Sequence, residues 1–313
     1  MSINRAAIME ATSRIAPFIR QTPVLDVALP GLATPLCLKL ELFQHSGSFK
    51  PRGAFNNLVG TAIPKAGIAA ASGGNHGAAV AYAAKTLNIP ARIFVPGISS
   101  PAKVARIAGY GATVVQLGAN YQEALGLCQA YVAQSGALNI HAYDTEKTII
   151  GQATLGQELE KQVPELDTIL VAVGGGGLIG GVASWYGSST RIIGVEPKTC
   201  NALHAALNAR EPVTIKPSGL AADSLGASSA GTLMFPIAQK YVSKVVLIDD
   251  EDIKTAQRYL WATSQIITEP GGAAAFAALL SGAYVPQANE RVGVIVCGAN
   301  TPLEVFNGLF SIA

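Results

Sequence analysis

Residues 168–187 read TILVAVGGGGLIGGVASWYG: a run of β-branched and apolar residues, four consecutive glycines, then an apolar stretch that reads as a helix. A strand that ends in glycines and gives way to a helix brings a ligand to the free backbone N–H groups of the helix N-terminus. Four glycines exceed what a tight turn needs, so Gly174, Gly175, Gly176 and Gly177 are read as a loop whose amides wrap a phosphate. The same residues carry a rival reading. Gly175-x-Gly177-x-x-Gly180 satisfies the dinucleotide fingerprint, and Glu196 ends the next strand, where a ribose-binding acid is expected. Pattern alone therefore leaves an NAD(P)-dependent oxidoreductase open.

Outward from this loop the chain is a succession of β-α units. Downstream, RIIGVEP (191–197) precedes NALHAALNA, KVVLID (244–249) precedes EDIKTAQRYLWATSQ, and RVGVIVCG (291–298) precedes PLEVFNGLF. Upstream, GIAAAS (67–72), ARIFVP (91–96), TVVQLG (113–118) and LNIHAY (138–143) alternate with Ala-rich helical stretches. Right-handed crossovers turn each series into a parallel sheet covered by helices. Before residue 50 come a helix pattern (6–19), a strand pattern (35–42) and a polar stretch, FQHSGSF. No repeat or Gly/Ser linker marks a boundary. Strand grouping assigns 1–51 and 146–313 to a large phosphate-binding domain and 52–145 to a small substrate-loop domain, consistent with 313 residues making two cores.

Charged residues make up 13% of the chain and hydrophobic residues 50%, which excludes a disordered or charge-tail protein. Scarce charge also points to surface covered by a second copy, a homodimer. With 22 basic and 20 acidic residues and no basic run, the footprint of a nucleic-acid or anionic-membrane binder is missing, and a small molecule is the expected partner. Cys37, Cys128, Cys200 and Cys297 lie far apart in apolar segments, which argues against disulfides and zinc and fits a cytoplasmic setting. The N-terminus has no apolar signal region. Three nearly charge-free stretches, 66–84, 168–190 and 271–289, are each interrupted by glycine or polar residues and read as buried strand, loop and helix rather than membrane spans.

Three further segments could carry chemistry. In SGSFKPRG (46–53) a lysine emerges at a helix start, where the positive dipole end lowers an amine pKa and readies Lys50 as nucleophile or base; a solvated turn lysine is the plainer alternative. In ASGGNHG (71–77) a glycine-rich turn opens a helix, a cradle for a carboxylate or phosphate; a core histidine is the plainer reading of His76 taken alone. In VCGAN (296–300) Cys297 ends the last strand, either as a small core residue or as a weak hydrogen-bond partner for a heterocycle nitrogen.

In this order and spacing the four segments resemble the fold type II pyridoxal-phosphate enzymes, of tryptophan synthase β-like architecture, and within them the serine/threonine dehydratase and serine racemase branch. The resemblance spans essentially the whole chain. SGSFKPRGA is similar to the cofactor-lysine motif, SGGNHG to the substrate-carboxylate loop, GGGGLIGG to the phosphate loop and CGAN to the pyridine-nitrogen site. It implies an α/β fold of two parallel-sheet, three-layer domains. It implies that Lys50 holds pyridoxal 5'-phosphate as a Schiff base and removes the substrate Cα proton. Phe49 would pack beside the ring, Asn75 bond the ring hydroxyl, Gly174 to Gly177 hold the phosphate and Cys297 face the pyridine nitrogen. Ser72, Gly73, Asn75 and His76 would hold the substrate carboxylate. A thiol does not keep the ring nitrogen protonated as a carboxylate does, which biases the chemistry toward β-elimination.

The implied activity is conversion of a 3-hydroxy amino acid such as L-threonine or L-serine to a 2-oxo acid and ammonia, with the cofactor phosphate protonating the leaving hydroxyl. Serine racemase, phenylserine dehydratase and hydroxyaspartate ammonia-lyase are the alternatives within the family; a catalytically silent binding protein is the alternative outside enzymes. Gly73 stands where racemases of the branch place a serine, which disfavours racemisation. The cation site would use Glu196 with carbonyls of Cys200, Leu225 and Ala227. Ala202 replaces the aspartate of divalent-cation members, so K⁺ or Na⁺ is expected over Mg²⁺. The chain ends after its last helix pattern, so no regulatory domain is expected. Between Ala112 and Ile150 the one Lys or Arg is Lys147, which argues against hydroxyaspartate.

Overall fold

Among the described residues the apolar runs condense into ten strands. In chain order these are β1 (Val24–Val27), β2 (Leu36–Lys39), β3 (Ile68–Ala71), β4 (Ala91–Val95), β5 (Thr113–Gln116), β6 (Leu138–Asn139), β7 (Thr168–Ala172), β8 (Arg191–Pro197), β9 (Val242–Ile248) and β10 (Val292–Ile295). They are taken from a computed structural model that describes residues 3–31 and 35–310. One sheet has the order β5-β4-β3-β6, all parallel. The other has the order β1-β2-β10-β7-β8-β9, parallel except for the β1–β2 edge pair. Parallel strands need both faces covered, and β3, β7 and β10 are buried along their whole length. The fold is thus the two-sheet α/β architecture that the sequence implies.

All four strands of the smaller sheet fall within 52–145 and the other six outside it, and on that ground we propose to keep those domain limits. One element disregards them. The helix Arg5–Ile15 buries Ile8 and Ala11 in the larger core but Ile15 in the smaller one, beside Phe55, Leu58 and Ile68. LNIHAY also departs from expectation, since only Leu138 and Asn139 form a strand. The ring Nδ1 of His141 accepts the N–H groups of both Tyr143 and Asp144, which turns the chain out of the sheet toward the larger unit.

This topology gathers the glycine-rich segments. Residues 72–76 follow β3, 173–177 follow β7 and 296–300 follow β10, so three motifs distant in sequence meet at the C-terminal ends of parallel strands, where ligands of open sheets bind. The four cysteines are free and buried. No helix among the described residues is long and apolar enough to cross a membrane.

Candidate active site

Lys50 immediately precedes the helix Pro51–Leu58, whose first-turn proline needs no N–H partner. Its Nζ donates to the Ala142 carbonyl at 3.0 Å and lies 5.1 Å from the Phe49 ring centre. Burial pushes the amine down to about 8, against the opposing influence of Cys297 and Glu269. The direction agrees with the sequence expectation, but desolvation rather than the helix dipole is the principal cause.

The glycine loop leads into the helix Gly177–Tyr186, which has no side-chain cap, so its first-turn N–H groups are available to a ligand. Gly176 sits at φ +90°, a conformation that requires glycine. The loop is also enclosed: a Cβ on Gly174 would come 3.2 Å from the Leu225 Cα, one on Gly175 would strike the Tyr143 ring and one on Gly176 would strike Met234. At Gly175 and Gly176 only bare backbone fits beside these side chains, and at Gly174 the neighbouring Leu225 backbone would have to give.

Phe49, Lys50, Asn75, Gly174 to Gly177 and Cys297 line one cavity. A second cavity, which shares Asn75 and Glu269 with the first, is bordered by Gly73 and Gly74. Ser72 accepts the Gly74 N–H at 3.2 Å and shapes this turn. The side chain of His76 goes elsewhere. It is buried, its Nε2 lies 2.8 Å from the Ile140 carbonyl, and burial lowers its pKa to about 3, so it is a neutral core histidine whose remaining contribution to the loop is its backbone. Lys103 and Arg106 also border the second cavity, with Lys103 paired to Asp223. Both cations lie just upstream of residues 112–150, so the small domain does offer partners to a second substrate carboxylate, and hydroxyaspartate is not disfavoured on that ground.

Cys297 Sγ donates to the Gly271 carbonyl at 3.4 Å, and burial, reinforced by Glu269, pushes its pKa up to about 12. The thiol is therefore neutral. Glu269, Tyr143 and Asn300 were not singled out from the sequence, yet Asn75 Nδ2 donates to Glu269 Oε1 at 2.5 Å and Asn300 Nδ2 donates to Asn75 Oδ1 at 2.5 Å. The one available signal for Glu269 was its isolation, since no other charged residue lies between Arg258 and Glu290.

Glu196 is fully buried at the end of β8, and its two carboxylate oxygens accept the N–H groups of Leu203 and His204, each at 2.8 Å, capping the helix Ala202–Ala209. A carboxylate so enclosed cannot bind a ribose hydroxyl, which removes the acid that the dinucleotide reading required. No group of three or more His, Cys, Asp and Glu side chains among the described residues is placed to hold a metal.

The residues fit pyridoxal phosphate on features of the pocket itself. An uncapped helix start would receive a phosphate, glycines whose Cβ atoms would strike Tyr143 and Met234 leave bare backbone beside it, and a neutral thiol in the same cavity would face a ring nitrogen. Comparison with known proteins agrees. Residues 15–298 match the family model described as pyridoxal-phosphate dependent enzyme. The chain is 37% identical to the phenylserine dehydratase of Ralstonia pickettii, covering 96% of this chain and 94% of the relative. The solved structure of maize serine racemase superposes with a TM-score of 0.90 at 33% identity, covering 97% and 96% of the two chains. That of the serine racemase from Dictyostelium discoideum gives 0.87 at 32% identity, covering 96% and 99%. None of these is a nicotinamide enzyme, and the oxidoreductase alternative is discarded.

Proposed function

The chain belongs to the pyridoxal-phosphate dependent enzymes, and from that premise we propose that it eliminates water from a 3-hydroxy amino acid, L-threonine or L-serine, releasing a 2-oxo acid and ammonia. The observation that carries this is the single cavity on which Lys50, the glycine loop, Asn75 and Cys297 converge. Bound there, pyridoxal phosphate supplies an electrophilic carbon for the substrate amine and a conjugated ring that draws electrons from the bonds at Cα. The chain's residues do the rest. Amides of Gly174 to Gly177 anchor the phosphate, and Phe49 and Asn75 orient the ring. Backbone N–H groups of the Ser72–His76 turn hold the substrate carboxylate. With its pKa lowered to about 8, Lys50 has a sizeable neutral fraction near pH 8, so its Nζ can take the Cα proton. The neutral Cys297 thiol leaves the ring nitrogen without a charged partner, which favours loss of the β-hydroxyl over longer-lived carbanion chemistry. The test is an assay of 2-oxo acid release from L-threonine, L-serine, phenylserine and 3-hydroxyaspartate; release from none of them would overturn the proposal. A cytoplasmic homodimer belongs to the same proposal, supported by the scarce charge and the free thiols.

Elimination should exceed racemisation of L-serine by ~10²-fold or more, the worth of one positioned acid–base group, because Gly73 offers no side chain to the opposite face of Cα. The space for that side chain is conditional. A Cβ at Gly73 would come 2.5 Å from Ser99 Oγ and 3.7 Å from Val95 Cβ, so a serine fits only once Ser99 gives way. Gly73→Ser paired with Ser99→Ala should therefore gain more D-serine formation than Gly73→Ser alone, as measured by chiral chromatography. Comparable D-serine and pyruvate yields from the unmodified protein would contradict the assignment.

A monovalent cation at Glu196, aided by carbonyls of Cys200, Leu225 and Ala227, extends the proposal. Both Glu196 oxygens already accept backbone N–H groups, from Leu203 and His204, and a cation would add to these two partners in offsetting the burial of the carboxylate. Potassium should raise the melting temperature more than magnesium at matched ionic strength, and Glu196→Ala should erase the difference. Equal responses would remove the ion.

A further inference from the structure

Glu269 is the one carboxyl among the described residues that borders both cavities. It occupies the N-cap position of the helix Pro270–Leu280, yet its side chain caps none of that helix's N–H groups. At 5% exposure it instead accepts the Asn75 side-chain N–H. Forgoing the local cap while staying buried is costly unless the carboxyl serves another contact. The backbone is shaped around it: a Cβ on Gly298 would clash with Glu269 Oε1, and a Cβ on Gly272 would collide with the Gly298 carbonyl. Gly298 thus makes room for the carboxyl, and Gly272 lets the helix start come up against the Gly298 backbone.

The hydrogen bonds run in one direction. The Ser46 carbonyl, an acceptor only, takes one N–H of Asn300 Nδ2 at 2.8 Å, and the other goes to Asn75 Oδ1. Asn75 must then turn its Nδ2 toward Glu269, where a carboxylate, also an acceptor only, receives one N–H. The polarity of the Asn75 amide is fixed from both ends, and one N–H of Asn75 is left over. We propose that Glu269 is a positioning residue which, through Asn75, ensures that the cofactor ring oxygen meets a hydrogen-bond donor rather than an acceptor. This rests on the reading of Asn75 as the ring contact.

The charges around Glu269 make the device sensitive to pH. Burial pushes its carboxyl up to about 7; the Asn75 bond lowers it, Asp223 raises it, and Lys103 and Arg106 lower it. Lys50 and Cys297 are the other titratable groups that face it. Below that midpoint Glu269 carries a proton and can donate, so the donor order loosens; above it the carboxylate enforces the order.

The test compares the unmodified protein with Glu269→Gln and Glu269→Ala, each loaded with pyridoxal phosphate. The readouts are cofactor Kd, the absorbance maximum across the neutral pH range, and thermal unfolding. The unmodified band should contain a component titrating near neutrality. Glu269→Gln keeps an acceptor and should hold the cofactor within ~3-fold while losing that titration, whereas Glu269→Ala should weaken binding by ~10-fold or more and move the band. If Glu269→Ala fails to fold, the lost titration in Glu269→Gln still decides. Identical bands, affinities and titrations in all three proteins would overturn the inference, as would equal melting losses in both variants with unchanged spectra. A normal cofactor complex with spectra independent of Glu269 sinks this inference alone; a protein that takes up no pyridoxal phosphate sinks the proposed function with it.

Discussion

Lys50→Ala should lower 2-oxo acid release by ~10³-fold or more and abolish the violet-to-blue absorbance of the cofactor-loaded protein. Two losses combine: the base that takes the Cα proton, worth ~10²–10⁴-fold on its own, and the amine that holds the cofactor between turnovers. Borohydride treatment of the unmodified protein should leave the cofactor covalently on the peptide that contains Lys50, and the variant should give no such peptide. The fold should survive, because Lys50 Nζ makes one hydrogen bond, to the Ala142 carbonyl, and its removal leaves only that acceptor to be met by water or cofactor. A melting temperature close to that of the unmodified protein would therefore separate lost chemistry from lost structure. Lys50→Arg should not rescue, since a guanidinium stays protonated and cannot serve as base or nucleophile. A colourless unmodified protein, or a variant that keeps its absorbance, would contradict the role given to Lys50.

What the sequence reveals here is what is written in contiguous residues. TILVAVGGGGLIGG carries strand, loop and helix in one stretch, and the structure builds all three there, as β7, the glycine loop and the helix Gly177–Tyr186. SGSFK likewise delivers Lys50 to a helix start. Contacts across the fold are silent in such a reading. Glu269 meets Asn75 across 194 positions and Asn300 meets it across 225, so nothing local announces that these side chains share a network. His76 shows the converse. Its motif invites a ligand, but the Ile140 carbonyl, brought beside it by the packing of β6 next to β3, takes the ring. LNIHAY has the composition of a strand, yet His141 hydrogen-bonds its own downstream backbone and stops it. For Lys50 the direction of the pKa shift was legible from position, but its main cause, burial, appears only when the two units close around it.

Arg52→Ala should destabilise the protein by about 3–5 kcal/mol, the cost of breaking a buried ion pair from one side. Arg52 is fully buried two residues beyond Lys50. Its Nε and Nη2 both engage Glu41, Nη2 also reaches Glu158 Oε2 at 2.8 Å, and Nη1 donates to Thr154 Oγ1 at 3.2 Å. Lys39, equally buried, meets the other Glu158 oxygen at 2.5 Å. Two cations thus face two carboxylates out of water, and deleting Arg52 strands Glu41 with only the Thr22 hydroxyl. Arg52→Lys should recover little, because one ammonium cannot reproduce a planar fork that bridges two carboxylates. Acid should act on the same cluster. Burial alone would raise the Glu158 pKa, but Arg52 and then Lys39 outweigh it and hold the carboxyl below its ordinary value. Stability from Glu158 is therefore present above the unfolded carboxyl range and lost as pH falls through the lowered value, and Arg52→Ala should flatten that acid limb in urea melts. The cluster also ties the helix that follows Lys50 to the larger core, so cofactor uptake should weaken along with stability. A variant within about 1 kcal/mol of the unmodified protein, with its acid limb intact, would show that the cluster does not hold Lys50 in place.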